Sequence, residues 1–267
     1  MKNLHIIFSG RYGLSNRVRS MAGHYALASV KGLAFSYEWI KDPSCPGNFS
    51  DLFNCQLIDN SEGPAVTNLL DNLLVTYKTR PTHCGSHPSS IEKEYNLDKD
   101  ESVRFNEIIK KFYENLAPIE SIKKSVNSLF LNKQDKILGV HLRRTDMIDH
   151  CIKMGIEPPS DAELHKQIEH YFESNPKSLI ILSADNPDSE FEFMEKYKNK
   201  VLVLRKNWDI SKTEAAGKSN IQERLSSLEE AVADLYALSR CSYIIGTKHS
   251  SFSTFAAIWG AINYIRV

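Results

Sequence analysis

The run His141-Leu142-Arg143-Arg144-Thr145-Asp146 puts two guanidinium groups directly behind the apolar stretch Ile137-Leu138-Gly139-Val140. A guanidinium offers a planar fork of donors that matches phosphate oxygens, so cations at this spacing point to an anion. In an α/β sheet, ligands settle in the crevice beyond the carboxyl ends of the strands, which is where these arginines fall. A solvated pair bridged to Asp146 or Asp149 is the plainer alternative.

Other strand ends offer polar groups at the same sheet edge. The apolar run at Leu179 ends in Ser183, Asp185 and Asn186, and the run at Val201 ends in Arg205 and Asn207. The run at Tyr243 ends in Thr247, Lys248, His249, Ser250 and Ser251. Ser250 and Ser251 also open a helix, where free backbone amides and the helix dipole favour a phosphate. Arg143 opposite that helix start would form a two-sided pyrophosphate clamp. In the first half, Gly10-Arg11-Tyr12-Gly13-Leu14-Ser15-Asn16-Arg17 links a strand to a helix, a ligand-binding turn in outline that puts Asn16 and Arg17 where a crevice would be. Its glycine spacing is neither that of a dinucleotide fingerprint nor that of a Walker loop.

These residues need a sheet to position them. Ile137–Leu142, Leu179–Ser183, Val201–Leu204, Tyr243–Thr247 and Asn263–Val267 read as buried parallel strands. Asp161–Glu173, Pro187–Tyr197, Ser226–Arg240 and Ser251–Trp259 read as the crossover helices between them, which makes a doubly wound sheet. In the helix from Ser226, a Ser226/Glu229 capping box precedes a stripe of Leu228, Ala231, Val232, Leu235 and Leu238, with Asp234 at its edge. The first half opens with a strand, Leu4–Phe8, and a helix whose apolar face is Leu14, Val18, Met21, Tyr25 and Ala28. From Asp42 to His87 the pattern is poorly defined, and helices resume at about Ser102–Asn115 and Ile119–Phe130. The polar run from Leu131 to Lys136 links two domains, expected over residues 1–130 and 131–267.

Size and charge narrow the function. A chain of 267 residues with 42% apolar content exceeds one compact core, which favours two domains of about 130 residues. Lys plus Arg and Asp plus Glu number 33 each, so the basic footprint of a nucleic-acid binder is missing and any anion specificity is local. Five scattered cysteines without a CxxC pair suit reduced thiols and a cytoplasmic setting. No stretch of about 18 apolar residues predicts a transmembrane segment, although peripheral contact with a membrane-borne substrate stays open.

The His-Leu-Arg-Arg-Thr-Asp motif, the Asp185-Asn186 pair, the segment from Glu230 to Ser251 and the Gly-Leu-Ser-Asn-Arg turn resemble the α1,6-fucosyltransferases of N-glycan core and nodulation-factor synthesis. More broadly, they resemble the GDP-fucose-using superfamily. The resemblance implies a GT-B-like α/β fold of two Rossmann-like doubly wound domains facing a cleft. It implies an inverting, metal-independent glycosyltransferase with no cofactor, moving fucose from GDP-fucose to a hydroxyl of an oligosaccharide or glycolipid-linked acceptor. The second domain would hold the nucleotide, and the first would lie on the acceptor side. In that pattern Arg143 holds the β-phosphate, His141 and Asp234 meet the guanine, and Ser251 binds the diphosphate. Asp185 and Asn186 would lie near the nucleotide, and from their places at the strand ends and in the N-terminal turn Arg144, Ser250, Asn16 and Arg17 are expected as further donor contacts. Two positions depart from the family: its carboxylate ten residues after the motif histidine is Cys151 here, and the lysine after the motif aspartate is Met147.

The chemistry fits the residues independently. Displacing GDP from an anomeric carbon builds negative charge on the diphosphate, which a fixed arginine and helix-start amides stabilise without a metal. In-line attack then needs a general base on the opposite face of the sugar, and Asp146, Asp149 and His150 from the motif loop are the candidates. Other readings are weaker. Cys45, Cys55, His83, Cys84 and His87 match no common zinc spacing. Asp98-Lys99-Asp100 has the form of a metal-binding Asp-x-Asp but sits in an acidic run ahead of a helix. A Ser-His hydrolase would need a Gly-x-Ser-x-Gly elbow. A transferase using another GDP-sugar, or a nucleotide-sugar or glycan-binding protein that lost its base, completes the alternatives.

Overall fold

The computed structural model describes residues 3–8, 13–58, 87–131, 136–145, 147–212 and 225–267, together with the backbone of 75–77. The chain divides into two compact units, Met1–Ile119 and Glu120–Val267. The division falls ahead of the helix Glu120–Phe130 rather than after it.

The first unit opens with a strand–helix–strand unit, β1 (Asn3–Phe8), α1 (Leu14–Val30) and β2 (Ala34–Trp39). β1 pairs in parallel with β2 on one side and with β4 (Val75–Tyr77) on the other. β3 (Phe53–Cys55) and β5 (Leu116–Pro118) form a separate antiparallel pair. α2 (Pro88–Glu94) and α3 (Lys99–Asn115) pack on α1. α3 begins where Asp98 and Glu101 exchange side-chain bonds with each other's backbone amides, and its Phe105, Ile109, Phe112 and Tyr113 form the buried stripe. Asp98 is therefore a helix cap, which accounts for the first acid of the Asp-x-Asp run.

The second unit holds a five-stranded parallel sheet in the order β10-β9-β6-β7-β8. Its strands are β6 (Ile137–Leu142), β7 (Leu179–Ala184), β8 (Val201–Val203), β9 (Tyr243–Gly246) and β10 (Tyr264–Arg266). The helices are α4 (Glu120–Phe130), α5 (Met147–Met154), α6 (Asp161–Ser174), α7 (Pro187–Tyr197), α8 (Leu228–Leu238) and α9 (Ser251–Gly260). All six residues of the central strand β6 are buried, as expected of a parallel strand covered on both faces. On one face Leu138, Val140 and Leu142 join Ile180 and Leu182 against Leu164 and Ile168 of α6 and Phe193 of α7. Each such fully buried side chain contributes about 1.5–3 kcal/mol. On the other face Gly139 lets Leu238 of α8 come close, and His141 stacks on Phe252 of α9.

Two local readings shift. α5 occupies the segment expected as the motif loop, because Met147 and Cys151, one turn apart, are both buried and hold it as a helix. The cap of α8 is Ser227 with Glu230, one residue later than the Ser226/Glu229 pair of identical spacing, and Glu230 gains a second donor there from the Asn207 amide. Among the described residues no helix is long and apolar enough to cross a membrane.

Candidate functional site

From β6 the chain steps outward through β7 and β8, then returns to place β9 and β10 on the opposite side of β6. β6 and β9 therefore flank a topological switch point, and the crevice beyond their carboxyl ends is where a doubly wound sheet accepts a ligand. The register sets His141 opposite Gly246, so Arg143 and the turn Thr247–Ser250 leave the sheet side by side.

One hydroxyl stitches these two segments together. The Arg143 amide donates to Thr247 Oγ1 at 2.9 Å, and Thr247 Oγ1 donates to the His141 carbonyl at 2.9 Å. The turn then passes through His249 in a left-handed conformation (φ 64°) and ends at Ser250, a fully buried N-cap whose Oγ accepts from the Phe252 amide at 3.3 Å. A left-handed residue just ahead of a helix start turns successive amides toward one concavity, an anion-binding arrangement. Gly246 permits the approach: a Cβ there would lie 2.1 Å from Ser253 Oγ and 2.4 Å from Ser253 Cβ, so only a residue without a side chain lets the first turn of α9 sit on the end of β9.

A pocket of about 70 Å³ lies at this point, with Arg143, Arg144, Thr247, Pro159, Ser160 and Asp161 among its walls. The segment that supplies Pro159, Ser160 and Asp161 carries two acids. Asp161 pairs with the Arg144 guanidinium, and Glu157 Oε2 lies 2.7 Å from Lys248 Nζ in the β9–α9 turn. Lys248, by hydrogen bond and charge, holds the exposed Glu157 carboxyl below its ordinary range.

Asp185 braces the motif loop from β7. Its Oδ2 accepts from the amides of Arg144 and Thr145 at 2.9 and 3.0 Å and from Thr145 Oγ1 at 2.7 Å. Asn186 donates to Asp185 Oδ1 and caps α7 through the Ser189 amide. The pair shapes the arginine loop and starts the next helix. Asp149 is exposed in the first turn of α5, His150 is exposed beside it, and Cys151 is buried. Asp146 lies outside the described residues.

Asp234 sits under the same edge of the sheet, on the face that carries His141. It is buried, and its Oδ2 accepts from Ser183 Oγ at 2.7 Å. Burial pushes its pKa up to about 6, opposed by the Lys206 ammonium at 3.3 Å and by Ser183.

In the first unit, Arg17 takes different surroundings from those expected. Arg17 is fully buried, where it pairs with Asp42, donates to the Ile40 carbonyl at 2.6 Å and lies over the Trp39 ring. It binds the end of β2 to α1 instead of facing an open crevice. Asn16 Oδ1 accepts from Arg19 at 2.9 Å.

No protein-family model matches this chain, and no curated protein matches it by sequence. Solved structures do. NodZ α1,6-fucosyltransferase soaked with GDP-fucose matches over 96% of this chain and 92% of that one, with a TM-score of 0.56 and 15% identity. NodZ from Bradyrhizobium matches over 94% and 92%, at 0.55 and 17%. POFUT1 in complex with GDP matches over 99% and 98%, at 0.57 and 11%. The fold is that of the GT-B fucosyltransferases. Within this GT-B fold the sequence had marked Arg143, Thr247, Ser250 and Ser251, and the structure brings them to one switch point. It had passed over Lys206 and Gly246. Lys206 falls two residues after buried Leu204, a spacing that puts it on the same side of an extended segment.

Proposed function

We propose that this protein is an inverting, metal-independent transferase that moves fucose from GDP-fucose to a hydroxyl of an oligosaccharide or glycolipid-linked acceptor. The second unit is the donor domain and the first serves the acceptor. The observation that carries this reading is the convergence of the Arg143 segment and the first turn of α9 on the β6/β9 switch point. Solved chains of this fold that hold GDP or GDP-fucose add support.

As the glycosidic bond breaks, charge develops on the β-phosphate of GDP. Arg143 and the amides that open α9 at Ser251 stabilise it from two sides, in place and without reorganisation. His141, stacked on Phe252, and Asp234 take the guanine. Arg144 and Lys248 add positive potential once their carboxylate partners yield to the diphosphate. The acceptor base comes from Asp149 or Asp146, since buried Cys151 has neither the chemistry nor the access to take a proton from a sugar hydroxyl. Reduced, buried Cys45, Cys55, Cys151 and Cys241 accord with a cytoplasmic protein.

Cys151 also favours a second reading, a GDP-sugar-binding protein that lacks turnover. Purified protein incubated with radiolabelled GDP-fucose, with and without a glycan array, separates the two. Transfer, or slow donor hydrolysis, supports the enzyme; donor bound and recovered intact supports the binder. Arg143→Ala is expected to lower turnover by roughly a hundredfold or more with the fold retained. A folded variant that keeps most of its activity would remove Arg143 from the mechanism.

A further inference from the structure

Lys206 lies three residues beyond β8 with 1% of its side chain exposed. Its ammonium sits 2.9 Å from Glu190 Oε2 of α7, 3.3 Å from Asp234 Oδ2 of α8 and 5.1 Å from the Trp208 ring. One cation thus serves two acids from two helices. Desolvation offsets most of the attraction in such buried clusters, so stability alone is a weak reason for this one.

Asp234 uses its two oxygens unequally. Oδ2 takes both the Ser183 hydroxyl and the Lys206 ammonium, while among the described residues Oδ1 accepts no hydrogen bond. A proton added to Asp234 therefore goes to Oδ1 and turns the available oxygen from acceptor into donor. The purine bases differ in just this respect. Guanine presents N1–H and N2–H donors side by side, whereas adenine presents an N6–H donor beside the N1 lone pair. An ionised Oδ1 accepts from guanine and repels adenine N1; a protonated Oδ1 donates to adenine N1 and opposes guanine N1–H.

We propose that Lys206 is the positioning residue that sets base specificity, its buried charge keeping Asp234 Oδ1 a pure acceptor so that the site selects guanine over adenine. The inference rests on the donor-site reading above, in which Asp234 meets the base. The groups that face Asp234 are Lys206 from beyond β8, Glu190 from α7 and Ser183 from β7. His141 lies beside Ser183 on β6, and Glu230 lies one turn earlier on α8. Removing the lysine leaves two carboxylates without their cation. The deeper one, Asp234 with 6% of its side chain exposed against 14% for Glu190, then takes up the proton.

The test is calorimetric titration of GDP and ADP into the wild-type chain, Lys206→Met, Lys206→Arg and Asp234→Asn, from about pH 8 to about pH 5. At neutral pH the wild type favours GDP. Lys206→Met and Asp234→Asn reduce that GDP:ADP preference roughly tenfold or more, and Lys206→Arg restores most of it. In the wild type the preference declines on acidification, and in Lys206→Met it is already low at neutral pH. A folded Lys206→Met chain with an unchanged GDP:ADP ratio overturns the proposal. So does a wild-type ratio that is flat across the pH range, a measurement that needs no variant to fold. A wild-type chain that binds neither nucleotide overturns the donor-site reading itself, and that outcome is distinct from binding without discrimination.

Discussion

The Arg143 amide and Thr247 Oγ1 meet at 2.9 Å across the boundary between two strands, and the same hydroxyl reaches back to the His141 carbonyl. A side chain that both accepts and donates within the sheet's own backbone fixes the spacing between the arginine and the helix start. Thr247→Val keeps the shape and removes an acceptor from the Arg143 amide and a donor from the His141 carbonyl, a loss of about 1–3 kcal/mol. The expected result is a lower melting temperature and weaker GDP binding together, measured by calorimetry. A variant with unchanged nucleotide affinity would separate the stitch from the site.

Gly246→Ala forces Ser253 and the first turn of α9 outward, because the added carbon overlaps both Ser253 Cβ and Oγ. Overpacking of this kind costs about 1–3 kcal/mol, and here it also displaces the amides proposed to receive the phosphate. Gly246→Ala combined with Ser253→Gly removes the overlap. A double-mutant cycle on GDP affinity should show the second change recovering much of the loss caused by the first. Simple additivity would mean that the overlap is relieved elsewhere.

Glu157→Gln frees Lys248 from its carboxylate partner. Because the pair is exposed, the melting temperature should hardly move, whereas GDP affinity should rise severalfold at low ionic strength and converge with wild type at high salt. An affinity that is salt-independent or lowered would show that Glu157 does not compete with the diphosphate.

The Asp234 carboxyl titrates higher in the folded chain, about 6, than its ordinary 3.8, chiefly through burial. Between those values the folded chain holds a proton that the unfolded chain lacks, so this group favours folding as pH falls through the window and opposes it above. Wild type and Asp234→Asn should therefore differ in the pH dependence of melting between about pH 6 and about pH 4, the wild type losing less stability on acidification. Parallel curves would mean that the carboxyl is already ionised throughout.

Much of the second unit was legible in the sequence. Strands buried on both faces, such as Ile137–Leu142, read as unbroken apolar runs, and their polar ends fell where the sheet edge lies. What escaped depends on groups far apart in the chain. Arg17 read as a crevice residue because its partner Asp42 is 25 positions away, and no local pattern announces a sealed guanidinium. α5 was hidden by its length, since eight residues give too few turns for a clear period. Lys206 has its partners Glu190 and Asp234 at positions 16 and 28 residues away, so no local pattern marks it. The tight spacing at Gly246 is invisible without Ser253.

The switch point has a further consequence for how this molecule matures. Arg143 and Thr247 lie on segments 104 positions apart, and β9, α9 and β10 leave the ribosome after β6, β7 and β8. A nascent chain exposed only through β8 carries the arginines with nothing opposite them and an unpaired inner edge on β6, open to wrong pairing. On the proposed donor site, nucleotide binding requires the β9 side of the sheet, and added GDP should act as a ligand chaperone that draws late intermediates toward the finished form.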